Sequence, residues 1–133
     1  MKQSLKLILS IKGVGMQMAT TMIIATENFT KFKNWRKFAS YCGVAPFPYQ
    51  SGTSVKGRNK VSQLANKKIK VLIHMCSMVA IQHNPEMKKY YERRIEIGKN
   101  KMSTINIIRN KLIARIFAVI DRQTPYVDTM KFA

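Results

Sequence analysis

Hydrophobic residues recur every three or four positions along most of the chain, a spacing typical of amphipathic α-helices. The pattern predicts an all-α, compact helical domain with six helices. The fourth helix is expected to start at a cap formed by Ser62 or Asn66 and to run to about His83. The other five are predicted at residues 5–12, 16–26, 35–42, 85–98 and 104–122, with a short tail at 123–133.

Several of these boundaries carry capping residues. Asn34 can cap the third helix, and Gly43 is placed to terminate it. Asn84 followed by Pro85 is typical of a helix start, because proline is tolerated at the first helical position. Ser103 is predicted to cap the sixth helix in the same way as Asn34 caps the third.

The helical pattern breaks between the third and fourth predicted helices. Residues 43–61 are rich in glycine and proline, which predicts a long loop or a small β-hairpin. Ser51 lies in this segment, after Pro46 and Pro48 and before Gly52, so its hydroxyl could be presented at a sharp turn, as an attacking nucleophile requires. Ser-Gly is also an ordinary turn dipeptide, and no histidine is adjacent to act as a base.

A second motif connects the first two predicted helices. From Ile8 to Ala19 the order is apolar, two residues, apolar, one residue, Gly, apolar, Gly, three residues, Ala, which matches a helix-hairpin-helix motif. The backbone amides of Gly13 and Gly15, with Lys12 beside them, could hold a nucleic-acid phosphate without reading sequence. The alternative is a tight turn in which the glycines are purely structural.

Charge adds a further constraint. The 133 residues include 24 Lys and Arg against 6 Asp and Glu, a formal net charge of +18, which makes polyanions the natural partners. Between Glu27 and Glu86 there are ten cations and no acid. Lys67 and Lys70 oppose the dipole of the fourth predicted helix, and a bound phosphate would resolve this conflict. Alternatively, these side chains simply extend into water.

The shortage of acids limits the chemistry that this chain can perform alone. A two-metal nuclease needs several carboxylates converging on the cations. The acids here are scattered, resemble helix-surface and capping residues, and predict no metal site: Glu27, Glu86, Glu92, Glu96, Asp121 and Asp128.

The cysteines and the hydrophobic runs indicate the cellular setting. Cys42 and Cys76 lie inside apolar patterns in a chain without a secretory signal, so we expect reduced thiols and a cytoplasmic location. No run reaches the roughly 18 apolar residues of a membrane span, so no membrane partner is expected.

Several segments, in order, resemble the C-terminal domain of a bacterial insertion-sequence transposase family that includes pilin-gene invertases and bridge-RNA-guided recombinases. The resemblance covers almost the whole chain. It rests on the I-x-G-V-G hairpin, W-x-x-F-A-x-Y-x-G-V-A-P at residues 35–46, Gln-Ser-Gly at 50–52 and S-x-x-x-N-K-K-I-K at 62–70.

The resemblance implies roles for individual residues. Ser51 would be the nucleophile that attacks a DNA phosphodiester and forms a phosphoserine link, while Gly13 and Gly15 would contact DNA through the hairpin. Asn66 and Lys70 match the family's Gly-Asn-x-x-Leu-Arg segment.

Three departures from the family pattern affect the proposed phosphate contacts. Ala65 replaces the usual Gly, and Lys70 replaces the usual Arg, which weakens any bidentate contact with phosphate there. Lys12 replaces the commoner Pro of the hairpin.

The resemblance also implies what lies outside this chain. In the family, an N-terminal RuvC-like domain carries acidic ligands and is expected to bind Mg²⁺, whereas no cofactor is expected here. The chain is therefore interpreted as a single C-terminal domain, a fragment or truncated product that is inactive in isolation. DNA, a structured guide RNA and a second copy of the full-length protein are the implied partners.

The sequence thus predicts the DNA-binding and serine-transesterification domain of a transposase. Lys56, Arg58 and Lys60 are hypothesised to neutralise charge at the scissile phosphate, because they follow Ser51 in a stretch free of acids. One alternative is a non-enzymatic helix-hairpin-helix DNA-binding module. The other is a basic RNA-binding protein, which exposed aromatic side chains would favour.

Overall fold

Residues 2–44 and 63–127 are described by a computed structural model, except for the side chains of residues 63–66. No strand occurs among these residues, so the all-α prediction is confirmed. The predicted loop or β-hairpin lies, apart from Gly43 and Val44, outside the described residues. The described helices are α1 (Lys2–Leu9), α2 (Met16–Ala25), α3 (Trp35–Cys42), α4 (Gln63–His83), α5 (Pro85–Glu96) and α6 (Lys101–Arg122).

The two longest helices, α4 and α6, form the centre of the fold. Helix α4 packs against α2, α3, α5 and α6, and α6 also packs against α1, α3 and α5. The spacing of hydrophobic residues predicts that α6 turns Ile105, Ile108, Leu112, Ile116 and Val119 inward, and all five are buried. The same spacing predicts that Val79 of α4 faces inward, but Val79 is 46% exposed, because it lies beyond the edge of the buried face. The buried face of α4 consists of Ile69, Leu72, Ile73, Cys76, Ser77 and Ala80.

Three of the predicted caps are confirmed. The Asn34 side chain accepts a hydrogen bond from the Lys37 amide at 3.0 Å, and Gly43 ends α3 in the left-handed region at φ +76°. Asn84 caps α5, since its Oδ1 accepts from the Glu86 amide at 3.1 Å.

Two other boundary predictions are wrong. Helix α6 is capped by Asn100, whose side chain accepts from the Ser103 amide at 2.9 Å, so the helix begins at Lys101. Helix α1 ends at Leu9 rather than near Lys12, because the next amides close tighter turns onto the carbonyls three residues before them.

A half-buried ion pair joins α5 to α6. Glu86 in the first turn of α5 pairs with Arg115 and accepts a hydrogen bond from the Tyr126 hydroxyl at 2.6 Å. Burial alone would raise the pKa of Glu86. Hydrogen bonds from Arg115 and Tyr126, together with the charges of Arg115 and Lys111, outweigh burial and hold this pKa below the usual value.

The Glu86→Gln variant should lower the free energy of unfolding by about 2 kcal/mol at neutral pH, because it removes charge-assisted hydrogen bonds. Since the folded pKa of Glu86 is lowered, its stabilisation is complete above the usual pKa near 4.5 and is lost as the pH falls through the folded value. Urea denaturation at about pH 7 and about pH 3 should therefore show a smaller difference between wild type and variant in acid.

Glu92→Gln is the matched control. The Glu92 carboxylate pairs with Lys88 at 4.0 Å and is 65% exposed, so its loss should change stability little at either pH. An equal loss for Glu86→Gln at both pH values would contradict the assignment of the stabilisation to the ionised carboxylate.

Candidate nucleic-acid interface

The hairpin turn between α1 and α2 touches α4. Gly13 has φ +108°, a backbone conformation that favours glycine, and a Cβ added there would lie 2.8 Å from the Cβ of Ala80. Ala19, the last residue of the helix-hairpin-helix motif, is fully buried. Gly13 is therefore required by the close approach of the turn to α4 as well as by its backbone conformation.

Two long-range hydrogen bonds hold the hairpin turn in place. The Asn84 side chain donates to the Lys12 carbonyl at 3.0 Å while also capping α5. From the other side, the Tyr126 amide donates to Ser10 Oγ at 2.8 Å. Neither contact was predicted from the sequence. Together they fasten the turn to the start of α5 and to the segment after α6, so the turn is a pre-formed surface.

The start of α2 offers backbone donors next to the turn. Gly15 is the N-cap of α2 and provides no side-chain cap, so the first-turn amides at Met16 and Gln17 lack the usual acceptor. Burial raises the pKa of the Cys76 thiol, and the nearby Gly15 backbone offsets part of this rise. The uncapped start of α2 presents its backbone donors directly after Gly15.

An apolar groove of about 370 Å³ lies between the hairpin and α4. Met75 and Val79 of α4 are exposed beside it, and α2 carries no Lys or Arg. Lys12 supplies the positive charge of the turn itself. The lining residues are Gly13, Val14, Gly15, Gln17, Met18, Leu72, Met75, Cys76 and Val79.

The predicted cations of α4 lie away from the hairpin. Lys67 and Lys70 are exposed near the beginning of α4, whereas Gly13 contacts Ala80 near its end. Ten residues separate Lys70 from Ala80, which corresponds to about 15 Å along the helix axis. The structure therefore divides the predicted phosphate-binding residues into two groups along α4.

A cluster that was not predicted from the sequence adjoins the α4 cations. Arg109 of α6 reaches across to α4, where its Nη2 lies 2.6 Å from Nδ1 of His74. Its Nη1 donates to Asn106 Oδ1 at 3.2 Å. Lys67, Lys70 and His74 lie on one side of α4, since they are spaced by three and four residues.

The same part of α6 holds the end of the α3 segment. Asn106 and Asn110 both donate to the Val44 carbonyl, each at 2.9 Å. In the sequence, the available signal was the cluster of polar side chains at 106, 109 and 110 in the middle of the predicted helix. It did not reveal the partners, because these lie 35 to 66 residues away along the chain.

Several predicted site residues fall outside the described part of the chain. These are Ser51, Lys56, Arg58 and Lys60. Asn66 lies in the first turn of α4 rather than at its cap, because α4 begins at Gln63, and its side chain is not among those described.

The described residues include two cysteines, but no group of metal ligands and no helix that could span a membrane. Cys42 and Cys76 are buried free thiols, and burial raises the pKa of Cys42 to about 12. Within residues 2–44 and 63–127, no three His, Cys, Asp or Glu side chains are grouped to hold a metal ion, so these residues do not fit a Mg²⁺ site. Across the same residues, no helix is long and apolar enough to cross a membrane.

Comparison with known proteins relates the chain to a transposase family. Residues 5–92 match the family model described as "Transposase IS116/IS110/IS902 family". The pilin gene-inverting protein of Moraxella bovis is 27% identical over 121 residues, which cover 90% of this chain and 38% of that protein. The "Insertion element IS110 uncharacterized 43.6 kDa protein" of Streptomyces coelicolor is 26% identical over 121 residues, or 91% of this chain and 30% of that protein. The chain thus spans between 30% and 38% of the length of these relatives.

Proposed function

The chain belongs to the transposase IS116/IS110/IS902 family, and we propose that it is the DNA-binding and serine-transesterification domain of a transposase or site-specific recombinase. The family match over residues 5–92 carries this proposal, because it contains both the hairpin and Ser51. The names of the two relatives, which refer to gene inversion and to an insertion element, support a role in moving DNA.

The hairpin is proposed to hold the DNA backbone. Its turn is fixed by Asn84 and Tyr126, and the uncapped start of α2 presents amides at Met16 and Gln17 beside Lys12. Backbone amides at a helix start bind phosphate oxygens and do not read base sequence. The hairpin would therefore position DNA without selecting a target.

The cations at the start of α4 are proposed to contact the same duplex. Lys70 lies about 15 Å from the hairpin contact along α4. Phosphates of one DNA strand are spaced by about 3.4 Å along the duplex axis, so four or five of them span this distance. One DNA backbone could thus reach both groups at once.

In the proposed reaction, Ser51 is the nucleophile. Its Oγ attacks a DNA phosphorus and gives up its proton, a new phosphorus–oxygen ester bond forms, and the bond to one deoxyribose oxygen breaks. That oxygen leaves with the bonding electrons and takes up a proton. Religation to another strand reverses these steps, so the exchange needs no oxidant or external energy source. Lys56, Arg58 and Lys60 are proposed to neutralise charge on the phosphate oxygens.

Other components of the reaction are proposed from the family resemblance. Mg²⁺ would be held by a RuvC-like domain, because the described residues of this chain offer no fitting set of ligands. Strand exchange joins two duplexes, so self-association of the full-length protein is expected, and a structured guide RNA is a further proposed partner.

The RNA-binding alternative gains little support from the described aromatic residues. Phe38 is fully buried, while Phe32 and Trp35 pack against the core. Stacking with single-stranded bases requires exposed rings. The described aromatic side chains are all buried or half-buried.

Trapping of a covalent intermediate separates the enzymatic proposal from a non-enzymatic DNA-binding module. The assay uses a polypeptide in which a RuvC-like domain precedes this chain, together with a nicked suicide DNA that cannot religate. We expect a protein–DNA adduct, and peptide mapping should place the phosphoserine at Ser51. Strand exchange without an adduct, or an adduct at a different residue, would overturn the serine mechanism.

A further inference from the structure

Arg109 lacks a carboxylate partner among the described residues. Its half-buried guanidinium contacts only neutral groups there: Nδ1 of His74 at 2.6 Å and Oδ1 of Asn106 at 3.2 Å. The Nε of Arg109 is buried without a hydrogen-bond partner in that same part of the chain. Removing a charge from water without a counter-ion is unfavourable.

Arg115 on the same helix shows the contrasting arrangement. It is paired with Glu86, whose hydrogen bond raises the pKa of the Arg115 guanidinium, whereas burial lowers the pKa of Arg109. Both arginines are partly buried on α6, but only Arg115 has its counter-ion within the described chain. The environment of Arg109 therefore suits an anion supplied from outside.

The polar groups that α4 presents on the side of His74 are hydrogen-bond donors. An arginine has no acceptor, so the short contact to Nδ1 makes that nitrogen the acceptor and leaves the proton of His74 on Nε2. Lys67 and Lys70 lie on the same side of α4 as His74, and no acid occurs in the first turn of this helix. A guanidinium, an imidazole N–H and two ammonium groups together match a tetrahedral oxyanion.

We propose that Arg109, His74 and Lys70 form a phosphate-binding site between α4 and α6 that holds a phosphodiester of DNA. The identification of the ligand as DNA rests on the proposed function. Recognition of a phosphate group rests on the three side chains themselves. The site is separate from the hairpin, which contacts α4 at Ala80.

The location of this site links it to the Ser51 segment. Arg109 lies between Asn106 and Asn110, which both hold the Val44 carbonyl, and Val44 precedes Ser51 by seven residues in the sequence. A phosphate bound at Arg109 would therefore anchor DNA beside the point from which the nucleophile-bearing segment departs.

Phosphate binding can be tested by NMR without any substitution. The chain has two histidines, and both lie on α4, with His83 exposed at its end. Titration with inorganic phosphate should shift the imidazole signals of His74 saturably and leave those of His83 nearly unchanged. Equal shifts of both histidines, or no shift of His74, would overturn the site.

DNA binding then tests whether the phosphate belongs to DNA. Arg109→Gln should weaken binding to a short duplex about tenfold at moderate salt and reduce the slope of log K against log salt by about one. Arg122→Gln removes the same charge from the same helix about 20 Å away and should change the slope much less.

The two measurements have distinct outcomes. Equal slopes for Arg109→Gln and Arg122→Gln, in variants with wild-type melting temperatures, would overturn the DNA assignment. A His74 response to phosphate combined with equal slopes would indicate a site for free phosphate and would likewise overturn it. Adduct formation at Ser51 is measured separately, so failure of this site leaves the serine mechanism to its own test.

Discussion

Replacement of Ser51 by alanine should abolish strand exchange while leaving DNA binding unchanged. The substitution removes the only atom proposed to bond to phosphorus, and loss of a catalytic nucleophile commonly lowers turnover by at least about a thousandfold. The hairpin and the α4 cations remain in place, so the affinity for duplex DNA should stay within about twofold. Strand exchange, adduct yield and duplex affinity are measured with the RuvC-like domain on the same polypeptide.

Ser54→Ala provides the matched control for this experiment. Ser54 lies three residues from Ser51, so its replacement removes a hydroxyl group of the same kind from the same segment. Strand exchange by Ser54→Ala should be close to wild type. If both variants lose activity equally, the segment matters for its conformation and not for a nucleophile. If Ser51→Ala retains adduct formation, the chemistry belongs to another residue.

Replacement of Gly13 by alanine should strongly destabilise the domain. The new Cβ would lie 2.8 Å from Ala80 Cβ and 3.1 Å from Ala80 Cα, and alanine is strained at φ +108°. Because the Ala80 atoms belong to a packed helix, we expect a loss of about 3 kcal/mol in the free energy of unfolding. This corresponds to a decrease of about 10 °C in melting temperature, measured by thermal denaturation.

Gly15 and Ala80 supply the controls for the Gly13 prediction. A Cβ added at Gly15 would meet no atom within 4 Å, so Gly15→Ala should shift the melting temperature by at most about 3 °C. Combining Gly13→Ala with Ala80→Gly removes the contact with the Ala80 Cβ but leaves the contact with the backbone of residue 80 and the strain at residue 13, and should recover part of the loss. Equal destabilisation by Gly13→Ala and Gly15→Ala would show that the contact with α4 is not the cause.

Local signals predicted most of the helix boundaries. Asn34 and Gly43 mark both ends of α3, because a capping side chain and a left-handed glycine act within a few residues. The inward residues of α6 followed equally from their spacing.

The start of α6 shows why local signals can fail. Asn100 and Ser103 are both good caps, and the sequence does not choose between them. Thr104, in the first turn of α6, is buried, and its hydroxyl accepts a hydrogen bond from Arg94 of α5 at 3.2 Å. This contact with a neighbouring helix favours the earlier start at Asn100.

Contacts between residues far apart in the sequence also determine how the candidate interface is arranged. The hairpin motif and the α4 lysines were visible in the sequence. Their separation along α4, the position of the Gly15 backbone beside Cys76, and the position of Arg109 beside His74 were not. Each depends on residues more than thirty positions apart meeting in space.

The sequence by itself determined the helical class, the caps of α3 and α5, the hairpin motif and the excess of positive charge. These features follow from spacing, local hydrogen bonds and residue counts, which act along the chain. Only the tertiary structure decided which glycine is sterically required, what holds the hairpin, and that Arg115 but not Arg109 has a carboxylate partner among the described residues. Those outcomes depend on the packing of α4 against α2 and α6, because the energy of a close contact or a buried charge is set by whatever lies opposite it.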